Sequence, residues 1–210
     1  MLCGTSLQPD CTTLKAHWKE HFQRDFGIEG STRLRCDDGW ELSLGEALFL
    51  LKSTNFQDNH YGFHPDFYED LRWVTQSIRF DPHCSVLARA RKSERRITLC
   101  PAFLSLSLVE RASTLVHEGH HLQPDTPPHV PCHSGPYQSA GAACDSRFSF
   151  SLDDGAYSAD VYFLVWLKRS AHLAQRQLRE VQAGIDAIFP ARFNQIPASE
   201  RKRLDRLLAR

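Results

Sequence analysis

The stretch Thr114-Leu115-Val116-His117-Glu118-Gly119-His120-His121-Leu122 decides how this chain is read. It contains His-Glu-x-x-His. On a helix, residues four apart share a face, so His117 and His121 can present two imidazoles to one metal ion. Glu118, beside the first of them, can reach a water on that metal. Two His ligands with an adjacent Glu as general base form the zinc site of a hydrolase. The flanks predict the helix itself. Ser107 and Glu110 have the spacing of a capping box, and Leu108, Ala112, Leu115, Val116 and Leu122 supply a buried side. The helix is expected from about Ser107 to Leu122, with the motif near its C-terminal end. His120 falls on a different face from His121 and is not expected to be a ligand.

The rest of the chain limits the alternatives. With 210 residues it is expected to form a single domain over 1–210, with N-terminal helices over 13–79, a metal core over about 84–183 and a C-terminal helical arm over 184–210. Basic and acidic residues balance at 25 each, which favours neither nucleic acid nor an anionic membrane as partner. No apolar run approaches the roughly 20 residues of a membrane span; Val161 to Leu167 stops at Lys168-Arg169 and reads as a buried helix. The first residues lack the basic and apolar pattern of a signal peptide. Met1 is the only methionine, which suits an initiator placed before an excised domain.

Seven cysteines point to an oxidising destination, secreted or periplasmic. Cys84 and Cys100 flank a β-hairpin pattern, so a disulfide is expected to join its ends. Cys132 and Cys144 bracket a Gly/Ser/Pro loop that a second bridge would close. An odd cysteine remains. A zinc site built from these cysteines is disfavoured, because no Cys-x-x-Cys pair occurs.

Along the chain, helices are expected over Thr13 to Phe26 (closed by Gly27), from Ser43 to about Lys52, and from Pro65 to Arg79. A short strand is expected at Arg33 to Cys36 before the Asp37-Asp38-Gly39 turn, and Asn55 to Gly62 reads as loop. After the hairpin and the motif helix, Pro124 to Gly141 reads as loop. Tyr157 to about Ala183 reads as one long helix, and Ser199 to Arg210 as a short basic helix with a solvated face. Helices with one small β unit before the motif helix make the fold class α+β, mostly helical.

A catalytic zinc needs a third protein ligand, and no Gly-x-x-His follows at the spacing that would extend the motif. The candidates are His129, His133, Asp125, Asp145 and Asp160. Ile97-Thr98-Leu99-Cys100-Pro101-Ala102-Phe103, followed by Thr114-Leu-x-His-Glu-x-x-His121, resembles the aspzincins, the deuterolysin and lysine-specific metalloendopeptidase group of the zincins. Ala159-Asp160-Val161-Tyr162 resembles that group's following helix, and the likeness covers roughly residues 84–165. It implies a zincin-like fold and a Zn2+-dependent endopeptidase, with peptide or protein as substrate. It also implies an Asp ligand from a Gly-Thr-x-Asp loop and a Tyr that assists the oxyanion. The chain departs there, reading Pro127-Pro128-His129-Val130-Pro131-Cys132. His129 is close to the expected ligand position, prolines stiffen its loop, and neutral imidazole is a good zinc ligand.

The site is therefore read as His117, His121 and His129 on the metal, Glu118 as base and Tyr157 as oxyanion donor, with Tyr137 as an alternative donor. Asp160 is the alternative third ligand, but its preferred role is to accept a ligand imidazole's N–H, a part open also to Asp145, Asp153 and Asp154. Lysine specificity would need an acidic pocket, for which Asp153-Asp154 are the candidates. The competing readings are a non-catalytic zincin-like binding domain, a disulfide-bonded interaction domain without metal, and a protease toxin domain of a larger secreted polypeptide. Oligomeric state is not legible.

Overall fold

In the computed structural model the motif helix, α6 (Leu108–Leu122), is the element on which the others pack. The structure describes residues 9–29, 33–37, 39–54, 66–133, 136, 138, 143–150, 155–169 and 173–209. The capping box forms: Ser107 Oγ accepts the Glu110 N–H at 3.3 Å, and Glu110 Oε2 accepts the Ser107 N–H at 2.8 Å. Val109, Ala112 and Leu115 are at most 1% exposed. Burying Val109 and Leu115 contributes about 2 kcal/mol each, more than the roughly 1 kcal/mol that Gly119 costs inside a helix. Gly119 is required for space, because a Cβ there would run into the side chain of Leu71 on the neighbouring α4 (Phe67–Val74).

The N-terminal run is helical from α1 (Cys11–His17) through a π turn (Trp18–Phe22) to α2 (Gln23–Phe26). It buries Leu14, Trp18, Phe22 and Phe26, and Gly27 ends it at φ 45°. α3 (Trp40–Ser53) begins at Trp40, slightly before the expected Ser43. The buried Glu46 on α3 meets Arg111 on α6 at 3.1 Å. A three-stranded sheet follows, from β1 (Ser77–Phe80), β2 (Ala88–Arg91) and β3 (Arg96–Leu99), in the order β1-β3-β2. β2 and β3 form the expected hairpin, and Cys84 is bonded to Cys100. The short α5 (Pro101–Leu104) leads into α6. β4 (Val130–Pro131) pairs with β5 (Ala143–Cys144), and Cys132 is bonded to Cys144. Then come α7 (Ala156–Arg169), α8 (Gln175–Ile188) and α9 (Ala198–Leu208). α6 packs against α3, α4, α7 and α8 on its helical sides and against β2 on another. The fold is mixed α+β, mostly helical with small sheets.

Three expectations are corrected. The helix expected from Pro65 to Arg79 ends at Val74 among the described residues, and Ser77–Phe80 is a strand. Thr75 is already extended at φ −97°, ψ 127°, and fully buried Ile78 pairs in register with Ile97 of β3. β-sheet pairing of a β-branched residue overrides the helical apolar spacing that continued through Ile78. Arg33, Leu34, Arg35 and Cys36 form no strand; Leu34 is buried in the core and Cys36 is bonded to Cys11. The long helix expected from Tyr157 to Ala183 is two helices. Ala174 is extended, and Gln177 accepts its N–H at 3.0 Å, so the chain restarts at α8 with its own cap. Asn55 to Gly62 lies outside the described residues.

All six described cysteines are in disulfides, including the unanticipated Cys11–Cys36; Cys3 lies outside the described residues. Three disulfides fit an oxidising environment. Among the described residues no helix is long and apolar enough to cross a membrane.

Asp25 anchors α2 to α4: its carboxylate accepts the Tyr68 hydroxyl at 2.9 Å and an Arg24 N–H at 2.9 Å. Burial pushes its pKa upward, but these two hydrogen bonds and the charges of Arg24 and Arg72 outweigh that and hold it below the usual value. A depressed carboxylate stabilises the fold above its unfolded pKa of about 3.9, and that contribution is lost as pH falls below this value. Asp25→Ala is expected to lower unfolding free energy by about 1–2 kcal/mol at pH 7, with the difference from the parent shrinking below about pH 4, as read by urea denaturation.

Candidate metal centre

Two positions of the centre come from one helix and the third from a loop that a disulfide holds. His117 and His121 project from α6. His129 directly precedes β4, where Val130 pairs with Cys144 and Cys132 is bonded to that same Cys144. The Nε2 atoms of the three imidazoles converge: 3.2 Å between His117 and His121, 3.0 Å between His121 and His129, and 3.2 Å between His129 and His117. Among the described residues these three are the group that can hold a metal ion.

The outward nitrogens of two of them are tied to carboxylates. His117 Nδ1 lies 2.8 Å from Asp160 Oδ2, and Asp160 Oδ1 accepts the Ser113 hydroxyl at 2.8 Å. His129 Nδ1 lies 3.1 Å from Asp145 Oδ1, and Asp145 Oδ2 accepts the Ser158 N–H at 3.0 Å. A carboxylate acceptor fixes the proton on Nδ1, which leaves Nε2 as a bare lone pair. His117 and His129 thus direct lone pairs into the same small volume as His121 Nε2. That arrangement is repulsive unless a proton or a cation lies between them, and a divalent ion bound by all three resolves it. The donor set fits a metal.

Burial and neighbouring charges shift the ionisable groups of the site in different directions. Burial works against a charged His117, but Asp160 outweighs it, first through charge and then through the hydrogen bond, and raises the pKa. Burial, then the neighbouring His117 and His129, push His121 down to about 3. Glu118 is buried and raised, chiefly by loss of solvent. Its carboxylate is also held by the backbone N–H of Ala90 on β2. The Tyr157 ring stacks on His129 at 4.8 Å and meets His117 edge-on at 4.7 Å, and the Arg192 guanidinium lies 5.1 Å over it. Burial raises the Tyr157 phenol, against the opposing pull of Arg192. An open cleft of about 750 Å³ lies over the three His, bounded by Ala88 and Ala90 of β2, Glu118 and Tyr157.

The other sequence candidates fall elsewhere. Asp160 and Asp145 stand behind the imidazoles rather than among the converging nitrogens. His133 is exposed, and its backbone N–H donates to Asn194 Oδ1 at 2.7 Å. Asp125 is exposed on a different cavity. His120 is buried and outside the ligand group. Tyr137, Asp153 and Asp154 lie outside the described residues. Sequence reasoning missed the contributions of Gly155, Arg192 and the 192–195 segment. A Cβ on Gly155 would collide with the Asp145 carboxylate. The Asp145 N–H donates to the Arg192 carbonyl at 2.9 Å, and the Asn194 N–H donates to the Asp145 carbonyl at 3.0 Å. A glycine directly before a helix start, two residues ahead of Tyr157, was a readable signal for the first; nothing in the sequence marked the others.

No protein-family model, no curated protein and no solved structure matches the chain.

Removing a carboxylate behind a ligand loosens and re-tautomerises that ligand. Asp160→Asn and Asp145→Asn are each expected to weaken divalent-metal affinity about 10–100-fold, measured by competition with a chelating dye. Gly155→Ala is expected to act in the same direction by displacing Asp145, while Asp205→Asn on α9 leaves affinity unchanged.

Proposed function

We propose that this chain is a zinc-dependent metalloendopeptidase of the zincin type, allied to the aspzincins but with His129 replacing their Asp ligand. The observation that carries this reading is the triangle of three Nε2 atoms beside a buried Glu118. Tetrahedral zinc with nitrogens at about 2.0–2.1 Å sets them about 3.3 Å from one another, close to the observed 3.0–3.2 Å. His117, His121 and His129 would hold the ion, and three protein ligands are the number found at catalytic rather than structural zinc. Bound zinc supplies a Lewis acid for a scissile carbonyl and a water whose pKa lies near neutrality.

The chain's own groups do the rest. The Glu118 carboxylate takes the proton of the attacking water and passes it to the leaving amine. The Ala90 N–H and the surrounding core hold that carboxylate in place. The Tyr157 hydroxyl donates to the oxygen that gains charge in the transition state, its ring fixed against His117 and His129. β2 is the edge of its sheet and borders the cleft, so it is placed to pair with an extended peptide. The disulfides support action outside the reducing cytosol, secreted or periplasmic, and suit a protease domain carried by a larger secreted polypeptide as well.

Glu118→Gln tests the reading. The variant is expected to retain one zinc per chain and to lose about 10²–10⁴-fold in kcat/KM on an unfolded protein substrate, while 1,10-phenanthroline abolishes and zinc restores activity in the parent. A zinc-loaded parent that cuts no peptide bond would instead make the chain a binding module.

A further inference from the structure

Beside the cleft over the three His lies a second cavity of about 390 Å³, within the roughly 300–1,000 Å³ usual for ligand sites. The two share Ala88, His117, Glu118 and Tyr157 as lining residues, so the cavity opens directly onto the proposed reaction centre. Its wall comes from α6, α7 and α8. Val109 and Leu164 are buried apolar wall, and Gly184, Ala187 and Ile188 recur at helical spacing on one face of α8. Gly184 lets α8 pack closely on α7 at this wall: a Cβ there would stand 3.1 Å from Leu164 Cδ1.

Beyond the reaction centre itself, the polar groups of the wall have partners: Arg192 donates to the Ala143 carbonyl at 3.1 Å and lies over the Tyr157 ring. Ser113 donates to Asp160, and Asp160 also serves His117. Glu110 closes the capping box and its carbonyl accepts the Thr114 hydroxyl at 2.9 Å. Glu180, a further acid of the wall, is paired with Arg176 at 2.9 Å. A lysine side chain entering here would lose water around its ammonium, meet the Arg192 guanidinium, and find at Glu110, Asp160 and Glu180 carboxylates that already have partners. A leucine or phenylalanine side chain would replace water against apolar surface with no polar group left unpaired.

Resting on the peptidase reading, we propose that this cavity is the specificity pocket and that it selects a leucine- or phenylalanine-sized apolar residue flanking the scissile bond. The residues that set this choice are Gly184, Ala187 and Ile188 of α8.

The test uses the zinc-loaded full chain and a peptide mixture varied at the positions flanking the cut, with products sequenced by mass spectrometry. The parent is expected to favour Leu or Phe over Ala and over Lys by at least about 10-fold in kcat/KM. Ala187→Phe, which fills the pocket from its exposed rim, is expected to move the preference toward Ala by about 10–100-fold with zinc content unchanged. Ala187→Asp, which adds an unpaired carboxylate to the wall, is expected to raise the relative rate beside Lys. Cleavage by the parent that favours Lys, or a preference that neither variant moves, overturns the pocket while leaving the peptidase reading intact. Absence of any cleavage overturns both.

Discussion

The centre depends on two carboxylate–imidazole clamps. Asp160 behind His117 and Asp145 behind His129 hold the Nδ1 protons, so both rings face inward with unprotonated Nε2 atoms. Without the clamps either ring is free to take the other tautomer, turn an N–H inward and dissolve the three-nitrogen triangle. The clamps are themselves held. Ser113 on α6 donates to Asp160, and the Ser158 N–H on α7 donates to Asp145. The α6–α7 packing therefore fixes His117 and Asp160, and α7 steadies Asp145.

That constraint explains features that otherwise look unrelated. The Cys132–Cys144 bridge and the β4–β5 pairing set His129 against Asp145, which directly follows Cys144. Closing a loop of this length contributes about 3 kcal/mol in the chain-entropy picture. Its sharper effect is positional, because a loop ligand lacks the helical register that aligns His117 with His121. The segment after α8 returns to bond the Asp145 backbone on both sides, so the C-terminal region helps build the centre. Gly155 leaves room for the Asp145 carboxylate at the start of α7.

Local chemistry was legible in the sequence, and long-range chemistry was not. The capping box at Ser107 and Glu110, the helix face of His117 and His121, and the Cys84–Cys100 hairpin all rest on spacings within a few turns of chain. Each is found in the structure. His129 could be singled out because its loop position and flanking prolines narrowed the candidates. The break at Ala174 was hidden, since the apolar pattern carried on through it and the cap comes from the Gln177 side chain. Ile78 stands at helical spacing from Leu71 and Val74, and only its partner Ile97, across the sheet, makes it a strand residue. Arg192 and the 192–195 segment gave no signal, because their contacts with Asp145 and Tyr157 depend on where α8 ends in space.

The most direct test of the three-imidazole centre is X-ray absorption on the zinc-loaded protein at neutral pH. The account predicts three imidazole nitrogens and one further light atom, all at about 2.0–2.1 Å, with one imidazole lost in His129→Ala. A first shell of two imidazoles with a carboxylate, or a spectrum that His129→Ala leaves unchanged, would contradict it.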